Sequence, residues 1–162
     1  MVLSHRAERE GKLLTFLRGE LALSSGLVKR LKWQNAFFLD GVPVHTDARV
    51  LPGQKITVKI EEAPEGFLPQ TLPIDILYED ESLIALDKPA GQLVHPSPRK
   101  NDGTLANALL GYYAETNQPC GIHPVTRLDR DTFGVVLLAK NAHIHAKLCQ
   151  MMKDGQIHKT YL

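Results

Sequence analysis

Between His123 and Asn141 the chain reads HPVTRLDRDTFGVVLLAKN, with Arg127, Asp129, Arg130 and Asp131 packed around Leu128 and an apolar run directly behind them. A buried strand rarely needs such a preface. Charges of both signs converging at a strand entrance would hold a carboxylate ionised beside guanidinium groups, which suits a nucleophile or a general base. A surface ladder of Arg and Asp, worth ~0 to 1 kcal/mol, is the alternative that spacing alone leaves open.

Other side chains capable of chemistry read more plainly. His123, His143, His145 and His158 have no acidic or cysteine partners at ligand spacing, so surface or capping roles are expected of them and no metal site. Cys120 and Cys149 match neither a zinc pattern nor a secreted disulfide framework and read as two reduced thiols. Lys88-Pro89 reads as a structural turn beside the site, with a catalytic lysine as the lesser alternative.

The elements that must position these residues follow from periodicity and punctuation. GVVLLAK is a buried strand by its continuous apolar run, and NAHIHAKLCQMMKDG is a helix capped by Asn141 and stopped by Gly155. TLANALLGYYAE has helical spacing with Thr104 as its cap. Ahead of it, strands are expected at Ile76–Tyr78 and Leu83–Asp87, joined by the acidic turn Glu79-Asp80-Glu81. IHKTYL is expected to start a further strand.

Nearer the N-terminus, LLTFLRGEL repeats apolar residues at helical spacing, and SSGLVKRLKWQ opens with Ser24 and Ser25 as candidate caps of a basic amphipathic helix. AFFLDGVPVH predicts a hairpin turning at Asp40-Gly41, and LPGQKITVKI a half-buried strand after a Pro-Gly turn. Strands and helices mix without a strict βαβ repeat, so the fold class is α+β: a small N-terminal α+β module followed by a mixed-sheet domain.

EEAPEGFLPQTLP carries three prolines, a glycine and three acids between two apolar-patterned regions, as a connector does. The chain accordingly divides into residues 12–60, a linker at 61–73 and a second domain at 74–162. Charge divides at the same place. Residues 12–60 hold eight Lys or Arg against three acids, a net of +5, whereas residues 61–162 hold nine against thirteen, a net of −4. The N-terminal segment, with Lys29, Arg30 and Lys32 close together, is therefore the part suited to a polyanion.

Overall composition, 43% hydrophobic and 23% charged, excludes a disordered or low-complexity chain. No stretch approaches the ~20 continuous apolar residues of a membrane span. MVLSHRAEREGK lacks the apolar run of a signal peptide, so a cytoplasmic location is expected.

RLDRDTFG closely resembles HRLDxxTSG, the signature of the RluA family of pseudouridine synthases. Two further stretches resemble family motifs in the same chain order: ILYEDESLIALDKPAGQLVHPS, with Lys88-Pro89-Ala90-Gly91 and His95-Pro96, and IHKTYL, which resembles the start of a KxYL motif. Residues 12–60 resemble the alpha-L type RNA-binding domain first described in a ribosomal protein, through SSGLVKRLKWQNAFFLDGVPV and LPGQKI.

The resemblance implies an isomerase converting uridine to pseudouridine in structured RNA, ribosomal RNA foremost and transfer RNA second, with no cofactor. It implies that Asp129 is the catalytic aspartate, with Asp131 supporting the loop. Arg127 would fill the gap left by a flipped-out base or contact its phosphate, and Tyr161 would pack against the target ring. Thr126 replaces the family's usual histidine and Phe133 its serine; Thr126 is expected to keep a hydrogen-bond role and Phe133 to extend the core. The family's catalytic domain runs on well past its third motif, so the resemblance also implies a catalytic domain cut short at Leu162. A monomeric full-length enzyme is expected, and self-association of a shortened chain. The rival reading is a non-enzymatic RNA-binding protein, or an inactive fragment of such an enzyme.

Overall fold

The structure, a computed structural model, describes residues 1–62 and 65–161. It divides into two compact units, residues 1–61 and 62–162, both mixing helices with antiparallel strands.

In the first unit, strand β1 (Val2–Arg6) is followed by the short β2 (Gly11–Lys12), helices α1 (Leu13–Arg18) and α2 (Ser25–Lys32), and strands β3 (Phe37–Leu39), β4 (Val42–Pro43), β5 (Arg49–Val50) and β6 (Lys55–Lys59). The main sheet has the order β1-β6-β3-β4. Leu13, Phe16 and Leu17 fall on one face of α1 at helical spacing and are buried, as are Leu27, Val28 and Leu31 of α2. The Ser24 hydroxyl accepts from the Leu27 amide at 3.2 Å, satisfying one of the amides that a helix start leaves open. Asp40 and Gly41 both have positive φ, 48° and 85°, the requirement of a two-residue hairpin that matches strand twist.

Strand β1 lies outside the 12–60 segment read from composition. Its sequence, VLSHR, shows no alternation of apolar and polar residues, and only Leu3 and His5 are half-buried. Five residue pairs with β6, from Val2↔Lys59 to Arg6↔Lys55, make it part of the first unit.

The second unit contains β7 (Asp75–Glu79), β8 (Leu83–Lys88), α3 (Leu105–Glu115), β9 (His123–Pro124), β10 (Gly134–Ala139) and α4 (Ala142–Lys153). Its sheet has the order β7-β8-β10-β9. Alternation along β8 and β10 sends Ile84, Leu86, Val136 and Leu138 to one face, where they join Leu105, Ala106, Leu109 and Tyr113 of α3 in the core. Leu83, Leu137 and Ala139 point the other way and meet Ile144, Leu148 and Met152 of α4. Fully burying one such Leu or Ile side chain is worth about 1.5–3 kcal/mol. Both helices are capped as expected: Thr104 and Asn107 form a reciprocal capping box, and the Asn141 side chain accepts from the Ile144 amide at 3.0 Å.

Two segments depart from the sequence reading. Of residues 61–73, read as a linker, Glu62, Glu65, Phe67, Leu68, Gln70 and Thr71 make contacts within the second unit. Phe67 packs on its core. The Leu68 carbonyl accepts from the Asn107 side chain at 2.9 Å, and the Gln70 side chain accepts from the Gly103 amide at 2.6 Å. Proline and glycine disfavour helix and ladder, so composition flagged irregular backbone; irregular backbone can still be tightly held. The second departure is IHKTYL. Ile157–Tyr161 form no strand, since a strand needs a ladder partner and no described segment supplies one.

Candidate active site and nucleic-acid interface

Leu128 packs against the core of the second unit, which turns its neighbours Arg127 and Asp129 outward. Both line a cleft of about 960 Å³. One wall is the loop from Ile122 to Arg130; the other is Leu93–Ser97, carrying His95. His123, His145 and Lys159 complete the polar lining.

The two walls are tied together beneath the surface. Lys88, at the end of β8, is fully buried, and its ammonium donates to the carbonyls of Pro89 (2.8 Å), Gln92 (2.8 Å) and Arg130 (2.9 Å). Burial pushes its pKa below the usual lysine value, opposed by the negative charge of Asp131. The Gly91 amide also donates to the Arg130 carbonyl at 2.9 Å, and Arg130 Nε donates to the Gly91 carbonyl at 3.1 Å. Gly91 has φ of 83°, which an L side chain would resist. Within the loop the Thr132 amide closes a turn on the Asp129 carbonyl at 3.2 Å. Lys88-Pro89 is thus the structural turn expected, and it also fastens the loop carrying Asp129.

The expected convergence of guanidinium groups on a carboxylate does not occur. Among the described residues no ion pair within 4.0 Å involves Asp129. The inward Leu128 separates Arg127 from Asp129, and Arg130 is occupied by the Gly91 carbonyl.

Thr126 does keep a hydrogen-bond role: its hydroxyl accepts from the Leu137 amide at 2.9 Å, extending the β10 ladder. Phe133 does not extend the core. It is 73% exposed, on the same side of the chain as Val135, where α4 no longer covers the sheet. It lines a second cavity of about 650 Å³ together with Val135, Leu137, Ile157 and Tyr161. Arg127 and Leu128 border both cavities, whereas Asp129 lines only the first and Tyr161 only the second.

The histidines are more engaged than their sequence spacing predicts. His123 Nε2 lies 2.9 Å from the Glu62 carboxylate, 61 positions away, and Glu62 also accepts from the Ala142 amide at the start of α4. His145 Nε2 lies 3.2 Å from the Pro124 carbonyl and 3.4 Å from Cys149 Sγ. His143 is buried, contrary to the surface or capping role expected of it. Among the described residues no three His, Cys, Asp or Glu side chains come together as a metal ion requires.

In the first unit, Lys29 and Lys32 are exposed on α2 and Arg30 is half-buried. All three stand in the last turn, where cations also complement the helix dipole.

A family model described as RNA pseudouridylate synthase matches residues 82–162. The chain belongs to this family. The match takes in β8, α3, β9, β10 and α4, and with them both walls of the Asp129 cleft. An uncharacterized RNA pseudouridine synthase of Aquifex aeolicus is 34% identical over 167 residues, covering 99% of this chain and 53% of its own. One from Bacillus subtilis is 33% identical, covering 88% and 52%. Ribosomal large subunit pseudouridine synthase D of Escherichia coli (strain K12) is 37% identical over 114 residues, covering 70% and 35%. The chain spans about half the length, or less, of these relatives.

Sequence reasoning missed the carbonyl cage around Lys88 and the Glu62–His123 contact at the edge of the cleft. The first had a signal, since a lysine closing the apolar strand LIALDK has to find acceptors wherever it is buried. The second had none, because the two residues meet only through the fold.

Proposed function

We propose that the second unit carries the catalytic centre of an enzyme that isomerises uridine to pseudouridine in structured RNA, with ribosomal RNA as first candidate and transfer RNA as second. The observation that carries the reading is Asp129, held outward on an anchored loop at the wall of a cleft of about 960 Å³, within the range of small-ligand sites.

The reaction breaks the bond between ribose and the uracil nitrogen, turns the base and rejoins it through carbon. The proton lost at that carbon is balanced by one gained at the freed nitrogen, so the product is an isomer. A paired uracil cannot be reached in a helix, so the nucleotide must be extruded at a cost of a few kcal/mol. In this reading Asp129 attacks the nucleotide or removes a ribose proton. Arg127, bordering both cavities, fills the vacated stack or holds a phosphate. Tyr161 packs on the extruded ring, which requires Ile157–Tyr161 to move beside the cleft when RNA binds.

The first unit serves in this proposal as an alpha-L type RNA-binding module, residues 12–60 completed by β1, with Lys29, Arg30 and Lys32 on phosphates. Residues 61–73 join it to the catalytic residues 74–162. The whole enzyme acts as a monomer; the exposed Phe133 and Val135 favour self-association of this chain alone, which sedimentation at two concentrations tests.

Tritium release from uridine-labelled ribosomal RNA tests the chemistry. The whole protein should release tritium, and Asp129→Asn should abolish release while RNA affinity stays within a few fold. Appreciable turnover by that variant would remove Asp129 from the reaction. RNA binding without release by the wild type would favour the non-catalytic reading.

A further inference from the structure

We infer that Trp33 is a stacking platform for an unpaired RNA base, so that α2 and its C-terminal residue engage a single-stranded or bulged nucleotide and not a continuous duplex. The inference deepens the RNA-binding reading of the first unit and rests on it. Trp33 is 82% exposed although Leu31, two residues earlier, is fully buried. A ring of this kind can withdraw about 150–250 Å² from water on burial, so leaving it exposed forgoes a large apolar contribution. It is not held on a loose loop. Trp33 caps α2 in helical geometry, φ −80° and ψ −10°, and its amide donates to the carbonyls of Arg30 and Leu31.

The surroundings choose among partners. Lys29 lies four residues before Trp33, one helical turn away on the same side, and Lys32 directly precedes it; both are exposed. No Asp or Glu occurs between Glu20 and Asp40. Gln34 and Asn35, which follow, are exposed and polar, so the ring's exposed neighbours along the chain are cations and amides, and not the apolar residues of a surface that docks another protein. One exposed ring flanked by cations matches one splayed base flanked by phosphates. Bases inside a duplex are already stacked and offer no free face.

Trp33 is the chain's only tryptophan, so its emission reports on this contact directly. This chain is titrated with a ribosomal RNA hairpin bearing an open loop, and with the same stem closed into a continuous duplex. Emission should be quenched by the looped RNA along the binding curve measured by anisotropy, and left unchanged by the duplex. Trp33→Ala should weaken loop binding about 5- to 150-fold, the worth of one stacked base, with the salt dependence unchanged. Trp33→Phe should recover part of the loss. Replacing Lys29 and Lys32 with Ala should do the reverse, flattening the log–log salt slope by about 1.4 to 1.8 while quenching at saturation persists. Loop binding with unaltered emission, or unaltered affinity in Trp33→Ala, overturns the stacking role and leaves the phosphate reading standing. A dimer that dissociates in Trp33→Ala, with RNA affinity intact, overturns it in favour of a protein contact. Absence of any RNA affinity overturns both readings.

Discussion

The ammonium of Lys88 donates to the backbone carbonyl of Arg130, 42 positions away, at 2.9 Å, and through this bond the end of β8 sets the position of the loop that carries Asp129. The same nitrogen holds the Pro89 and Gln92 carbonyls, so one buried cation fixes one end of each cleft wall. Lys88→Met keeps the apolar stem and removes the donor. Three carbonyls then lose a charged partner, and destabilisation of about 2–4 kcal/mol is expected, with faster amide exchange at Thr132. Denaturant unfolding followed by far-UV circular dichroism and hydrogen exchange measure the two effects. Wild-type stability with a wild-type exchange rate at Thr132 would mean the loop holds its shape without Lys88.

Gly111 tests the strap made by residues 65–73. A Cβ built there would stand 2.2 Å from the Gln70 carbonyl oxygen and 2.8 Å from its carbon, both backbone atoms that cannot rotate aside. Glycine inside a helix ordinarily costs about 0.5–1 kcal/mol relative to alanine, so Gly111→Ala would stabilise a free α3. With the strap bound the sign reverses, and a loss of about 1–3 kcal/mol is expected, together with quicker proteolytic cutting within residues 65–73. A stabilised variant would show that the strap does not lie on α3 in solution.

What the sequence revealed and what it hid separate along the range of the interactions. Ser24, Thr104 and Asn141 were legible as caps because a cap bonds an amide three residues ahead. Asp40-Gly41 was legible because a hairpin turn is closed by its own backbone angles. The RLDRDTFG loop stood out by composition, yet its geometry depends on Leu128 finding the core and on Lys88 reaching across 42 positions, and neither has a local signature. Phe133 misled because apolar type indicates burial only on average, and the end of the sheet beside it is uncovered. IHKTYL misled similarly: a pattern suited to a strand becomes one only against a partner.

Acidification should weaken the second unit in two stages, each with its own group. His143 is buried with Nδ1 unpartnered, and burial, aided by the charge of Lys147, holds its pKa below the ordinary 6.5. Below about pH 6.5 the unfolded chain therefore takes up a proton that the folded ring resists, and stability falls with a slope of at most about 1.4 kcal/mol per pH unit. Glu79 acts lower on the scale. Burial pushes its pKa up, but hydrogen bonds from Lys140 at 2.7 Å, Tyr112 at 2.7 Å and Gln118 at 3.1 Å, with the charge of Lys140, outweigh burial and leave it below the ordinary 4.5. A carboxylate with a depressed folded pKa contributes fully above its unfolded value, and that contribution is lost as pH falls through the folded one. Urea midpoints from pH 8 to 4 should be level near neutrality, decline from about 6.5 and steepen below about 4.5. His143→Leu should remove the first decline and leave the second, whereas Glu79→Gln should soften only the second. A midpoint that stays level from pH 7 to 5.5 in the wild type, or an upper decline that persists in His143→Leu, would show that His143 is not the group that resists protonation in the folded chain.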